Sequence, residues 1–238
     1  MNQLSPCEPS SCSWTRLRWP RSATARNSCL NCIRACGSSR GKRLSATAGP
    51  PVGGTAAFTD LHARAGRIGQ WVWIERRVFE CFGSWAGTTE LPAVAAHFGE
   101  MSRRHGWHAE LFFDRLPELA SVDAEGLVSS PGRATDAFFD GLTAIAEPVA
   151  LGRLVAGTRV LLPMLLTEYR AAAASSSAVA EPSLRRWLDI VVRDDVDEWC
   201  RGKDLLSEVV DDVAAVKAAG SAQLRLDLLA VATGGLRG

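Results

Sequence analysis

The chain has almost no net charge, +1 over 238 residues, so no overall electrostatic footprint for nucleic acid. It also lacks a charge-free apolar run of membrane-spanning length. The most apolar segment, residues 149–166, is interrupted by Arg153 and Arg159 and reads as a buried helix. No apolar stretch follows a basic start at the N-terminus, where Arg, Ser and Pro intervene throughout, so a secretory signal is not expected. Cysteines number seven, and an odd count without a signal argues against a disulfide framework. Alternating strand patterns of convincing length are missing, and so is any repeat of fixed period. These absences leave a cytoplasmic, all-α protein with no membrane span as the expectation.

What is present is unevenly distributed. Residues 1–59 hold eight Lys/Arg and one acid, Glu8, while the remainder holds 19 Lys/Arg and 25 Asp/Glu, a net −6. Five cysteines (Cys7, Cys12, Cys29, Cys32, Cys36) crowd the same N-terminal stretch, and Cys81 and Cys200 stand alone as expected buried thiols. Cys29, Cys32 and Cys36 have the spacing of half a zinc site, but no second pair follows and no histidine lies within the first 61 residues. With no helical or strand period, residues 1–58 read as a low-complexity, disordered tail, and 59–238 as the folded domain. The compositional break is also what a natural start near residue 55 would leave.

Helical periodicity organises the rest. A first helix is expected from about Asp60 to Gly83 or Trp85. A second follows, capped by Thr88 or Thr89, with Pro92 in its first turn, and continues to Phe113. Residues 121–133 read as a loop and 134–146 as a short helix. A third long helix spans about 149–174 with a bend at Pro163, and a fourth begins at Pro182 and runs to about Arg201. A last helix is expected over roughly 204–219, with another turn or two within 223–232. The short first connection makes the first two helices antiparallel.

The apolar stripes of these helices are interrupted by titratable groups. Trp71, Glu75, Val78 and Phe82 share one face, as do Met101, His105, His108 and Phe112. On the third helix Glu168 breaks the stripe of Leu161, Leu165 and Ala172; on the fourth, Asp195 and Glu198 follow Leu188 and Val191, with Asp194 competing for the place of Asp195. Charge on an inward face is costly unless paired, hydrogen-bonded or metal-bound. Four carboxylates and two imidazoles are the inventory of a dinuclear iron or manganese centre: hard oxygens to neutralise and bridge cations, nitrogens to complete the coordination. Each group also has a plainer reading. Glu75 could pair with Arg76, Arg77 or Arg104, the histidines could bond neighbouring acids, and Asp194, Asp195 and Asp197 with Arg193 could form a solvated face. His97, two turns before His105, reads as core packing or as a channel-side residue.

These residues resemble the ferritin-like superfamily, whose four helices supply Glu, Glu-x-x-His, Glu and Glu-x-x-His. Glu75 and Glu168 match the first and third helices and His108 the second, with His105 in the place of a glutamate and Glu198 in that of a histidine. Trp73-x-Glu75-Arg76-Arg77 and His105-x-x-His108-Ala109-Glu110-Leu111 look most like the actinobacterial branch named for the tRNA 2-methylthio-isopentenyladenosine hydroxylase. The resemblance spans about residues 60–206. It implies an antiparallel four-helix bundle with an extra C-terminal helix, and two iron ions (manganese the alternative) held by Glu75, His105, His108, Glu168, Asp195 and Glu198. It further implies an oxidoreductase, a hydroxylase acting with dioxygen, and tRNA modification as its setting; a homodimer is a candidate assembly on either expectation for the bundle. A catalytically inactive bundle serving as a binding or structural module is the other expectation.

Overall fold

The structure is a computed structural model that describes residues 61–116, 123–146, 150–179 and 181–236, all within the compact unit Val52–Gly238. The expected tail and its cysteines lie outside the described residues. Among those described, every regular element is helical: α1 (Leu61–Thr88), α2 (Pro92–Phe113), α3 (Ala124–Leu127), α4 (Arg133–Ala146), α5 (Ala150–Val155), a π-helical turn (Ala156–Leu161), α6 (Leu162–Ser175), α7 (Pro182–Val209) and α8 (Val213–Thr233). The all-α expectation holds.

Four long helical runs surround one core. Trp71 packs on Phe112, and Phe82 on Phe98 at 5.9 Å, so α1 and α2 run antiparallel. Tyr169 meets Glu75 while Gly157 lies beside Phe82, which makes the α5–α6 run antiparallel to α1. Asp194 meets His108 and Arg201 meets Glu100, so α7 is antiparallel to α2. Thr158 against Gly202 closes the ring between the third run and α7. In chain order the directions are therefore up, down, down, up. Two successive helices pointing the same way cannot be joined by a tight turn, and residues 114–149, which include α3 and α4, make the crossing.

Sequence chemistry explains several boundaries and corrects others. Leu91, not a threonine, is the N-cap of α2; it offers no side-chain acceptor, and Pro92, which has no N–H, leaves the first turn with one donor fewer to satisfy. Thr88 and Thr89 instead accept hydrogen bonds from the buried Arg153 guanidinium. The expected loop at 121–133 contains the short helix α3. Helix α7 passes through Gly202 to Val209, and a Cβ at 202 would lie 2.4 Å from the Thr158 hydroxyl oxygen, so the glycine is a packing notch and not a terminator. The chain breaks at Val210–Asp212, where the Asp212 carboxylate accepts the Ala215 N–H at 2.6 Å and starts α8. The irregularity expected at Pro163 lies just before it. The Leu162 N–H reaches back to the Gly157 carbonyl, and this widened turn precedes the ring that would clash in an α-helix.

Trp71, Trp85, Tyr169, Phe82, Phe98 and Phe112 are fully buried around this core, each side chain contributing about 1.5–3 kcal/mol by leaving water. Ala150–Ser175 is apolar enough and long enough to cross a membrane, but 61% of its apolar window is buried inside the fold, as a core helix requires. Cys81 is buried and free, as expected, and Cys200 is half-buried.

Candidate metal centre

Glu75, His105, His108, Asp195 and Glu198 are all buried, and helix geometry puts them at one height of the core. On α2, His105 and His108 are three residues apart and so share a face; Asp195 and Glu198 repeat that spacing on α7. The antiparallel α1–α2 pair sets Glu75 opposite both imidazoles. His105 Nδ1 donates to Glu75 Oε2 at 2.6 Å, and its Nε2 lies 3.2 Å from Glu198 Oε2. His108 Nδ1 is 3.7 Å from Glu75 Oε2 and 3.8 Å from Asp195 Oδ1. Two groups result, Glu75–His105–His108 and His105–Asp195–Glu198, each with its ligating atoms within 4.8 Å of one another and sharing His105.

Neighbours outside the two groups hold their members in place. The Tyr169 hydroxyl donates a short hydrogen bond to Glu75 Oε1. Arg104 Nε lies 3.2 Å from Glu198 Oε1 and ties the carboxylate to α2. Asp194, the competitor of Asp195, stays at the edge and meets His108 Nε2 at 3.3 Å, which leaves Nδ1 facing inward. The choice between the two acids is thereby made: Asp195 points in, Asp194 orients a histidine.

Glu168 departs from its expected place. Its carboxylate accepts from Arg67 and, at 3.2 Å, from the Trp71 indole N–H, and it belongs to neither group. Tyr169, one residue on, occupies the inward position. Nothing in the periodicity singles out Tyr169, since adjacent residues on a helix differ by about 100° and the apolar stripe is wide enough for both. The plain pairing of Glu75 with an arginine is not what forms: Arg76 pairs with Glu125, Arg77 with Glu80, and Arg104 with Glu100 and Glu198. Nor is Asp195 part of a solvated face. Of the two places expected for His97, the structure shows core packing: it is buried beside Phe98, and burial lowers its pKa.

Electrostatics divide the cluster. Burial would raise the Glu75 pKa, but His105 and His108 outweigh it and hold it at about 2. Burial would lower both imidazoles; Glu75 and Glu198 instead push His105 well above its ordinary value, and Asp194 and Glu75 bring His108 to about 9. Asp195 is raised to about 8, chiefly by burial, although both histidines oppose it.

A test of metal binding lies in the unsatisfied atoms. His105 Nε2, His108 Nδ1 and both carboxylate oxygens of Asp195 and of Glu198 are buried and make no hydrogen bond of good geometry. Glu198 is ion-paired with Arg104 and His105, and Asp195 lies 3.8 Å from His108, but carboxylates withdrawn from water without hydrogen bonds keep part of their desolvation cost, which a cation would offset. These six belong to residues of the two clustered groups, whereas the other buried atoms without a hydrogen bond, such as Trp85 Nε1 and Thr135 Oγ1, are single and lie elsewhere in the fold. Carboxylate oxygens and imidazole nitrogens suit iron, manganese or zinc, and the donor set fits a divalent first-row cation. Buried Glu/His groups able to hold a metal ion are thus part of this fold. No family model matches the sequence, and no curated protein or solved structure matches the chain.

Proposed function

We propose that the chain is a ferritin-like metal protein that uses iron, with manganese the alternative, for oxidation chemistry with dioxygen on an organic substrate. The observation that carries this reading is the set of six buried, hydrogen-bond-free donor atoms converging from α2 and α7 beside Glu75. The up-down-down-up order with one long crossover supports the ferritin-like assignment, because that connection separates such folds from simple up-and-down bundles. Bound iron would supply the redox chemistry, and the protein's contribution is placement and exclusion of water.

Glu75, His105, His108, Asp195 and Glu198 are the residues that would hold the metal. Tyr169 fixes the Glu75 carboxylate, Asp194 fixes the His108 ring, and Arg104 restrains Glu198. Phe82, packed 5.6 Å from the His105 ring, and the buried Phe112 and Trp71 wall the cluster from solvent. The tRNA substrate implied by the resemblance draws no support from a body of net charge −6.

Elemental analysis of protein expressed with iron and manganese tests the reading. The expected result is one or two metal ions per chain, lost in Asp195→Asn and in Glu75→Ala but retained in Glu168→Ala and in the surface control Glu110→Ala. Protein that stays metal-free after anaerobic iron loading, with its helical signal intact, overturns it in favour of an inactive binding module.

A further inference from the structure

Helix α8 is apolar on both sides. Ala222 and Leu226 face the core, and Leu229 packs over Gly141 of α4. On the opposite side, Val213, Val216, Leu224, Leu228 and Val231 are 57–82% exposed, half of all the large exposed apolar side chains among the described residues. A helix that is apolar all round is normally buried all round, and a contiguous exposed stripe marks an interaction surface.

The stripe's order names its partner. Val213, Lys217, Gly220, Leu224, Asp227 and Val231 recur at intervals of four and three, the spacing of a two-helix seam. That series is a palindrome about residue 222. In an antiparallel pair of two such helices, Val213 meets Val231 of the second copy, Lys217 meets Asp227, and Gly220 meets Leu224, each contact occurring twice. A Cβ built on Gly220 touches nothing within 4 Å, so the position is an open notch opposite a protruding leucine. Lys217 and Asp227 lie ten residues apart on one helix, roughly 15 Å, too far to pair within a chain. Self-complementarity of this kind is what a two-fold interface requires.

We propose that the exposed face of α8 is a homodimer interface, formed by antiparallel packing of α8 against α8 of a second copy. The proposal is independent of the metal centre.

Sedimentation equilibrium of the full chain tests it. The expected mass is near twice 25.5 kDa. Leu224→Glu raises the dissociation constant at least about tenfold while the helical circular dichroism spectrum of the folded chain is unchanged, because the position is solvent-exposed in one copy. Asp227→Lys sets like charges across the seam and weakens the dimer; adding Lys217→Asp in the same chain restores it. A monomer at tens of micromolar wild-type protein overturns the proposal. So does a dimer indifferent to Leu224→Glu, or an Asp227→Lys defect that Lys217→Asp does not rescue.

Discussion

The core cluster and the outer face of α8 break the ordinary rule of burial in opposite directions. Around Asp195 and Glu198, polar atoms are withdrawn from water without hydrogen bonds; along α8, apolar side chains stand in water without cover. Neither arrangement is fully satisfied in an isolated chain. Each becomes favourable with one added component: a cation for the first, a second helix for the second. The two differ in what they would tolerate. The core cluster is interlocked by Tyr169, Arg104 and Asp194, so a change there propagates through several buried groups. The α8 face touches little within its own chain.

The sharpest break of this contrast is Glu75→Ala. It leaves the Tyr169 hydroxyl buried without its acceptor and the His105 imidazole with Glu198 alone, and should cost about 3–5 kcal/mol in chemical denaturation as well as abolishing metal uptake. Tyr169→Phe removes one donor and keeps the packing; about 1–3 kcal/mol is expected, read from the same denaturation curves. A shift of denaturation midpoint below that range would place Tyr169 outside the cluster's support.

Proton linkage gives a third test, on metal-free protein. His108 is raised from 6.5 to about 9, so its stabilisation is complete below pH 6.5 and is lost as pH rises through 9. Asp195, raised from 3.8 to about 8, binds a proton more tightly when folded and also loses stability as pH rises. Glu75, held down at about 2, acts only at the acid end, where its contribution disappears as pH falls from 4.5. Thermal midpoints of the metal-free protein should therefore fall between pH 6.5 and 9. Metal affinity should climb over the same interval, because the cation displaces these protons. A flat midpoint across that window would contradict the charge pairing. The smallest effect belongs to Leu224→Glu, whose monomer should unfold within about 0.5 kcal/mol of a dissociated wild-type chain, the value expected of a surface change.

Much of the core cluster is legible in the sequence. A 3.6-residue period sets the azimuth of each side chain about its own helix, so Glu75, His105, His108, Asp195 and Glu198 read as inward without knowledge of the groups they face. The long helices and the α1–α2 hairpin come from the same period and from Pro92. Tertiary structure decided the rest, since one helix carries no information about the heights or facing of its neighbours. It chose Tyr169 over Glu168 for the inward seat, gave Asp194 to His108 from the edge, and brought Arg104 to Glu198. It carried α7 through Gly202, and made the glycine a notch for Thr158 instead of a stop. The π-helical turn at 156–161 adds a residue to one turn and rotates the downstream residues by about 100°, a phase shift no uninterrupted period anticipates. The sequence alone determined which faces are apolar. Only the packing of whole helices against one another determined which polar groups those faces had to share, and which apolar face was left uncovered.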